Sequence, residues 1–305
     1  MTAATIDHVG PEAAYRRDSW LRRIPLLPAL LFVILCTQIP FLLNIYYSLT
    51  DWKLVPPTPR TFNGGANYGD LFTNQFFQEA VVVSALMTIS AVVLSVLLGM
   101  GLALLLDRQF FGRGFLRTLL ITPFLIMPVV AALIWKTQIL HSVFGVLNWV
   151  LTSLGQQPVE FVSSFPLWSI VAVLVWEWTP FMMLILLAGL SGQSIDSLEA
   201  ARVDGASSTK IFFNITLPQL RPFIELGALL GSIYLIQTFD EINVMTGGGP
   251  GSTNVPYFVY QRSIGGGWDF GQAAAYSNLV VVATIIIATL GLRTLGGLLP
   301  KEGSQ

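Results

Sequence analysis

Ser194-Ile-Asp-Ser-Leu-Glu199-Ala200-Ala201-Arg-Val-Asp204-Gly205-Ala206-Ser-Ser-Thr-Lys210-Ile-Phe212-Phe-Asn-Ile215-Thr-Leu217-Pro218 is a polar interruption between two long apolar runs, and its reading decides the fold. Leu198–Val203 is expected as a short helix. Asp196 or Ser197 can cap its N-terminus, and Glu199 sits in the first turn, where a carboxylate meets the positive end of the helix dipole. Gly205 is placed to end that helix in a left-handed conformation. A second helix begins near Ser207 or Ser208, with Phe212, Ile215 and Leu217 on an apolar side, and Pro218 closes it before the next apolar run. The small side chains of Ala200, Ala201 and Ala206 let another surface come close.

On both sides of this loop the chain is apolar. It is 53% hydrophobic and only 11% charged, with a mean hydropathy of +0.67, whereas soluble domains carry about 25% charged residues. A spanning helix needs about 20 mostly apolar residues. Six runs qualify: Ile24–Leu49, Ala80–Leu106, Leu116–Lys136, Leu167–Leu190, Pro222–Ile242 and Gln272–Leu295. The expected fold is therefore all-α, one polytopic domain over 24–295, with an N-terminal segment at 1–23 and a tail at 296–305. The first run is too long and too far from the N-terminus for a cleaved signal peptide. Cys36 lies inside it without Cys or His neighbours and reads as a packing residue. A net charge of -1 excludes nucleic acid as a partner.

Basic residues orient a membrane chain, because Lys and Arg favour the cytoplasmic side. Arg16, Arg17, Arg22 and Arg23 precede the first span, and Arg108, Arg113 and Arg117 follow the second. Arg202, Lys210 and Arg221 flank the 194–218 loop, and Arg293 and Lys301 end the chain. Of the sixteen Lys and Arg, only Lys53, Arg60, Lys136 and Arg262 fall on the other side. Both termini and the 194–218 loop are thus expected in the cytoplasm. Outside, His141–Leu154 reads as a short amphipathic helix, and Thr246–Thr253 (TGGGPGST) as a turn-rich loop. That loop is no phosphate cradle, since no Lys-Ser or Lys-Thr follows its glycines. No ATP-binding motif occurs elsewhere in the sequence.

The loop carries a specific likeness. Glu199-Ala200-Ala201, Asp204-Gly205, Ile215 and Leu217-Pro218 resemble the EAA loop of importer-type ABC permeases, at matching spacing. Phe239-Asp240-Glu241-Ile-Asn243-Val-Met245-Thr246-Gly-Gly248-Gly249-Pro250 is similar to the signature of carbohydrate-uptake permeases. Pro40–Thr50 resembles that group's first span, and Asn67-Tyr68 the dipeptide before its second. The likeness covers nearly the whole chain. It implies a type I ABC importer permease in a bacterial inner membrane, moving a sugar, oligosaccharide or polyol by alternating access. The same likeness implies a second permease, two ATPase subunits that hold ATP and Mg, and a periplasmic or lipid-anchored solute-binding protein, with no cofactor on this chain. Residues Glu199, Ala200, Ala201, Asp204, Gly205, Ile215, Leu217 and Pro218 would then dock on the ATPase, Glu199 through an Arg.

Polar groups inside a bilayer are costly, so each is a candidate for the substrate path. Span four holds Trp176-Glu177-Trp178-Thr179-Pro180, a carboxylate between two indoles before a helix-breaking proline. Indole faces stack on sugar C–H faces, and a carboxylate accepts hydroxyl hydrogen bonds. Span five adds Tyr234, Gln237, Asp240, Glu241 and Asn243, with 237 and 241, and 240 and 243, each on a shared helical face. Span six adds Tyr276 and Asn278, while Trp135 and Lys136 read as interfacial belt residues. A permease for glycerol phosphate or another solute and an ATP-independent secondary carrier remain as alternatives, the latter disfavoured by the lack of an internal repeat. An intramembrane enzyme is disfavoured because neither HExxH nor GxSxG occurs.

Overall fold

The computed structural model describes residues 24–296. The segment 1–23, with Arg16, Arg17, Arg22 and Arg23, and the tail beyond Gly296, with Lys301, lie outside these residues. The described chain is helical apart from one two-stranded ribbon. In order it runs α1 (Leu27–Ser48), β1 (Thr50–Asp51), β2 (Thr61–Phe62), α2 (Ala66–Thr73), α3 (Gln75–Asp107), α4 (Arg113–Ile121) and α5 (Pro128–Ile134). There follow α6 (Val146–Ser153), α7 (Phe161–Ser164), α8 (Pro166–Ser191), α9 (Ile195–Val203) and α10 (Ser208–Ile211). Finally come α11 (Leu217–Leu235), α12 (Asp240–Met245), α13 (Val255–Arg262) and α14 (Phe270–Gly296).

Among the described residues, α1, α3, α8 and α14 are each long and apolar enough to cross a membrane, and a bent pair adds a fifth candidate. The third span expected over Leu116–Lys136 is that bent pair. Arg113–Leu125 and Pro128–Ile139 meet at 102°. Pro128 disfavours helical backbone at the residue before it, and Met127 is extended with ψ 134. The fifth expected span, Pro222–Ile242, is also interrupted: α11 ends at Leu235 and the chain turns before α12. The Thr238 carbonyl freed by that turn accepts from Asn254 Nδ2 at 2.6 Å, inside the protein. Pro180, expected to break span four, does not: α8 runs through it from Pro166 to Ser191. Membrane helices tolerate an interior proline because neighbouring groups satisfy the freed carbonyl.

The core is the pair α3 and α8, which run parallel. Met87 and Ala91 pack with Ile170 and Leu174 near one end, and Ala103 and Leu106 with Leu186 and Leu190 near the other. Small residues on α3 allow this approach. A Cβ at Gly99 would stand 2.8 Å from Met182 Cβ and 2.9 Å from the Met183 nitrogen. The parallel run puts the α3–α4 turn and the 194–218 loop at the same end of the bundle. α11 returns antiparallel, with Leu220 and Phe223 against Gly189, and Gly227 and Gly231 against Met182.

The opposite end carries a cap built from polar contacts. Asn67 Nδ2 donates to the carbonyls of Ser48 (2.9 Å) and Thr50 (3.0 Å). Thr50 pairs with Phe62 in the ribbon, and Lys53 meets Asp269 at 3.3 Å. Arg60 lies 3.7 Å over the Trp52 ring, which stacks on Phe270 at 4.9 Å. α1 is tied to α14 at this level: Asn44 Nδ2 donates to Asn278 Oδ1 (2.7 Å), and Asn278 Nδ2 to the Tyr68 hydroxyl (2.8 Å). Elsewhere α1 is exposed, Cys36 included, so that residue does not pack within this chain as expected.

Candidate functional site

The 194–218 loop folds as two short helices joined at Gly205. The cap is Ser194, whose hydroxyl accepts from the Ser197 nitrogen at 3.4 Å, rather than Asp196 or Ser197, so α9 starts three residues earlier than expected. Gly205 has φ +75, and the Ala206 nitrogen donates back to the Ala201 carbonyl at 3.0 Å, closing a left-handed helix end. Ser207 caps α10. Pro218 does not end the second helix as expected. A π-turn over Phe212–Thr216 joins α10 to α11, and Pro218 falls in the first turn of α11, where its missing N–H is tolerated. Gln193 Nε2 donates to the Thr216 carbonyl at 3.3 Å and ties the two ends of the loop together.

No residue of α9 is buried. Glu199 and Ala200 are exposed, as are Asp204 and Gly205, and Val203 is 87% exposed. Ala201, Asp204, Gly205, Lys210 and Ile215 line a cavity of about 270 Å³ between the two helices. Helices shorter than about 12 residues are marginal on their own, and proteins stabilise them by burying an apolar face. α9 has nine residues and buries none against this chain.

The candidate path residues divide into two sets. Trp178 joins an aromatic cluster with Phe124 (5.8 Å), Phe181 (5.4 Å) and Tyr234 (5.5 Å). The bend in the third span brings Phe124 to this cluster, a partner the sequence reading did not include. Tyr234 is 63% exposed, Gln237 and Asn243 are exposed, and Asp240 is half-buried. Tyr234 borders the Trp178 ring, and Gln237, Asp240 and Asn243 follow it through the turn from α11 into α12.

The second set is enclosed. Trp176 points away from Trp178 and packs edge-on against Trp135 at 6.0 Å. Glu177 and Glu241 are 5% and 6% exposed, and the two carboxyls lie close to each other between α8 and α12. Among the described residues, Glu177 Oε2 has no hydrogen-bond partner. The face shared by 237 and 241 is absent, because the turn between α11 and α12 separates exposed Gln237 from buried Glu241. Tyr276 is fully buried, its hydroxyl accepting from Asn74 Nδ2 at 3.2 Å, and Asn278 belongs to the α1–α2–α14 cluster. Trp135 and Lys136 are structural here. Lys136 Nζ donates to the Val244 carbonyl at 2.7 Å near the C-terminus of α12, where a cation suits the helix dipole. Asn148 was missed as well: at 1% exposure it donates to the carbonyls of His141 and Val159 and holds α6 in place. Its carbonyl partners lie in the segments flanking the helix, so helical periodicity does not single it out.

Residues 80–296 match the family described as the inner membrane component of binding-protein-dependent transport systems. The chain belongs to that family. It is similar to the probable ABC transporter permease y4oQ of Sinorhizobium fredii, 37% identical over 265 residues, covering 86% of this chain and 85% of the relative. It is 33% identical over 281 residues to the trehalose/maltose transport permease MalF of Thermococcus litoralis, covering 90% and 94%. Among solved structures, a bacterial alginate ABC transporter in complex with an alginate pentasaccharide-bound periplasmic protein contains a chain that matches with a TM-score of 0.77 at 19% identity, covering 90% and 93%. The fold is thus that of an ABC importer permease, and the protein is a multi-pass inner-membrane transport subunit.

Proposed function

We propose that this permease moves a sugar, oligosaccharide or polyol into the cytoplasm, with trehalose and maltose as first candidates from the relative's cargo. In this reading residues 24–295 form one domain that crosses the membrane six times, α11 and α12 making the fifth crossing. Both termini and the 194–218 loop lie in the cytoplasm, in keeping with twelve of sixteen basic residues on that side. A second permease completes the path, a solute-binding protein delivers the cargo outside, and two ATPase subunits hold ATP and Mg.

The observation that carries this reading is α9, a capped helix with no buried residue of its own. Docking on an ATPase supplies the missing apolar contact, with Ala200 and Ala201 permitting close approach and Glu199 and Asp204 offering carboxylates to a basic partner. ATP-driven closure then biases the permease between inward-open and outward-open states, by an amount set by its differential contact with each. The sugar passes along the open edge of Trp178, Tyr234, Gln237, Asp240 and Asn243. Such side chains are too costly to face lipid, and rings beside hydroxyl-binding groups suit a sugar. Glu177 and Glu241 support this edge from behind by joining α8 to α12.

Glu199→Lys reverses one charge on an exposed surface and should abolish uptake and ATPase co-purification while membrane insertion stays normal. Wild-type uptake by this variant would sink the coupling assignment.

A further inference from the structure

At the end of the bundle opposite the 194–218 loop, a cavity of about 890 Å³ opens between the start of α3, the loop after α12, and α13. Its walls include Gln75, Phe76 and Glu79 from α3 and Phe258, Gln261 and Arg262 from α13. Among the described residues, the side chains of Gln75, Glu79, Gln261 and Arg262 make no hydrogen bond or ion pair. Arg262 is half-buried, its guanidinium 5.1 Å from the centre of the Phe258 ring. Phe76 is 70% exposed.

Three features define what would fill this space. Lipid is excluded, because a carboxylate, a guanidinium and the amides of Gln75, Gln78 and Gln261 facing hydrocarbon would each be costly. Glu79 and Arg262 carry opposite charges, so the cavity as a whole favours a nearly neutral ligand. Each amide offers both a donor and an acceptor, and two phenylalanine rings supply apolar faces. Donors and acceptors in equal supply beside apolar rings match the surface of a pyranose, with hydroxyls at its edge and C–H groups on its faces. The volume lies within the roughly 300–1,000 Å³ usual for small-molecule sites.

We propose that this cavity is an entrance site for the transported sugar, distinct from the Trp178–Asn243 edge. The inference rests on the reading of the chain as a sugar permease. The site holds cargo released from the binding protein until the path opens, and so raises the fraction of ATP cycles that move a sugar.

The test uses the assembled importer in proteoliposomes, with its binding protein and radiolabelled trehalose or maltose. Sugar moved per ATP hydrolysed is compared for wild type, Gln75→Ala, Gln261→Ala, Arg262→Gln and Arg262→Lys. Loss of one hydrogen bond to a charged group corresponds to about a ten-fold or greater change in occupancy. Arg262→Gln should therefore lower sugar per ATP about ten-fold, and Arg262→Lys less. The ATPase rate stimulated by the binding protein should stay at the wild-type level. Gln75→Ala, in the exposed first turn of α3, keeps the test open if Arg262→Gln does not assemble. Equal losses of stimulated ATPase and uptake would make the cavity a seat for the binding protein and overturn the proposal, as would no change in either quantity. Wild-type protein that moves neither sugar, nor any other sugar or polyol of a wider labelled panel, would overturn the underlying sugar reading instead.

Discussion

Replacing Gly99 by alanine tests the close contact on which the bundle is built. In a helix interior the exchange should by itself stabilise by about 1 kcal/mol, since alanine is the better helix former. At Gly99 the new Cβ would lie 2.8 Å from Met182 Cβ, 2.9 Å from the Met183 nitrogen and 3.1 Å from the Met182 carbonyl carbon. None of these atoms can rotate away, so α3 and α8 must move apart. Overpacking of this kind costs about 1–3 kcal/mol. Gly101, two residues on, has nothing within 4 Å of the place a methyl group would take, and it serves as the control. The propensity gain cancels between the two variants, and the steric cost remains. At roughly 2–4 °C per kcal/mol for a domain of this size, Gly99→Ala should melt about 2–12 °C below Gly101→Ala in thermal unfolding of the detergent-solubilised protein. Equal melting temperatures, or a more stable Gly99→Ala, would refute the parallel packing of α3 on α8 at this distance.

Two further outcomes follow from the site and the cap. Trp178→Ala removes the ring that Phe124, Phe181 and Tyr234 surround. A stacking contact is worth about 0.5–1.5 kcal/mol, so uptake of labelled sugar should fall about 2- to 10-fold at unchanged protein level, and unchanged uptake would remove Trp178 from the path. Asn67→Ala deprives the Ser48 and Thr50 carbonyls of a buried donor. It should destabilise by about 1–3 kcal/mol and speed protease cleavage within 49–65, and wild-type protease resistance would contradict the clamp.

The family likeness of the 194–218 loop was legible because its constraints are local. Gly205 needs only its own left-handed backbone, and Glu199 and Ala200 are exposed on a helix that has no buried residue. The apolar spans were legible for a similar reason: length and hydropathy are properties of a segment, and bilayer thickness sets the length. What the sequence left open depends on breaks and facing. Pro180 leaves α8 continuous, while the turn after Leu235 divides the expected fifth span and is stabilised by Asn254 from a distant segment. A proline or a polar residue tells where a backbone hydrogen bond is at risk, but not which remote group will replace it.

The same limit applies to the polar residues of the spans. Trp176, Glu177 and Trp178 are consecutive, yet a helix turns about 100° per residue. Trp178 therefore reaches Tyr234, while Trp176 packs on Trp135 and Glu177 turns inward to Glu241. Tyr276 and Asn278 look like path residues by composition, but their partners Asn74, Asn44 and Tyr68 come from other helices. The sequence by itself determined that this is a multi-pass membrane protein with the pattern of an importer permease, since both follow from short-range pattern. Only the tertiary structure decided which of its polar side chains meet each other and which are left exposed, because that depends on how the helices are rotated and paired.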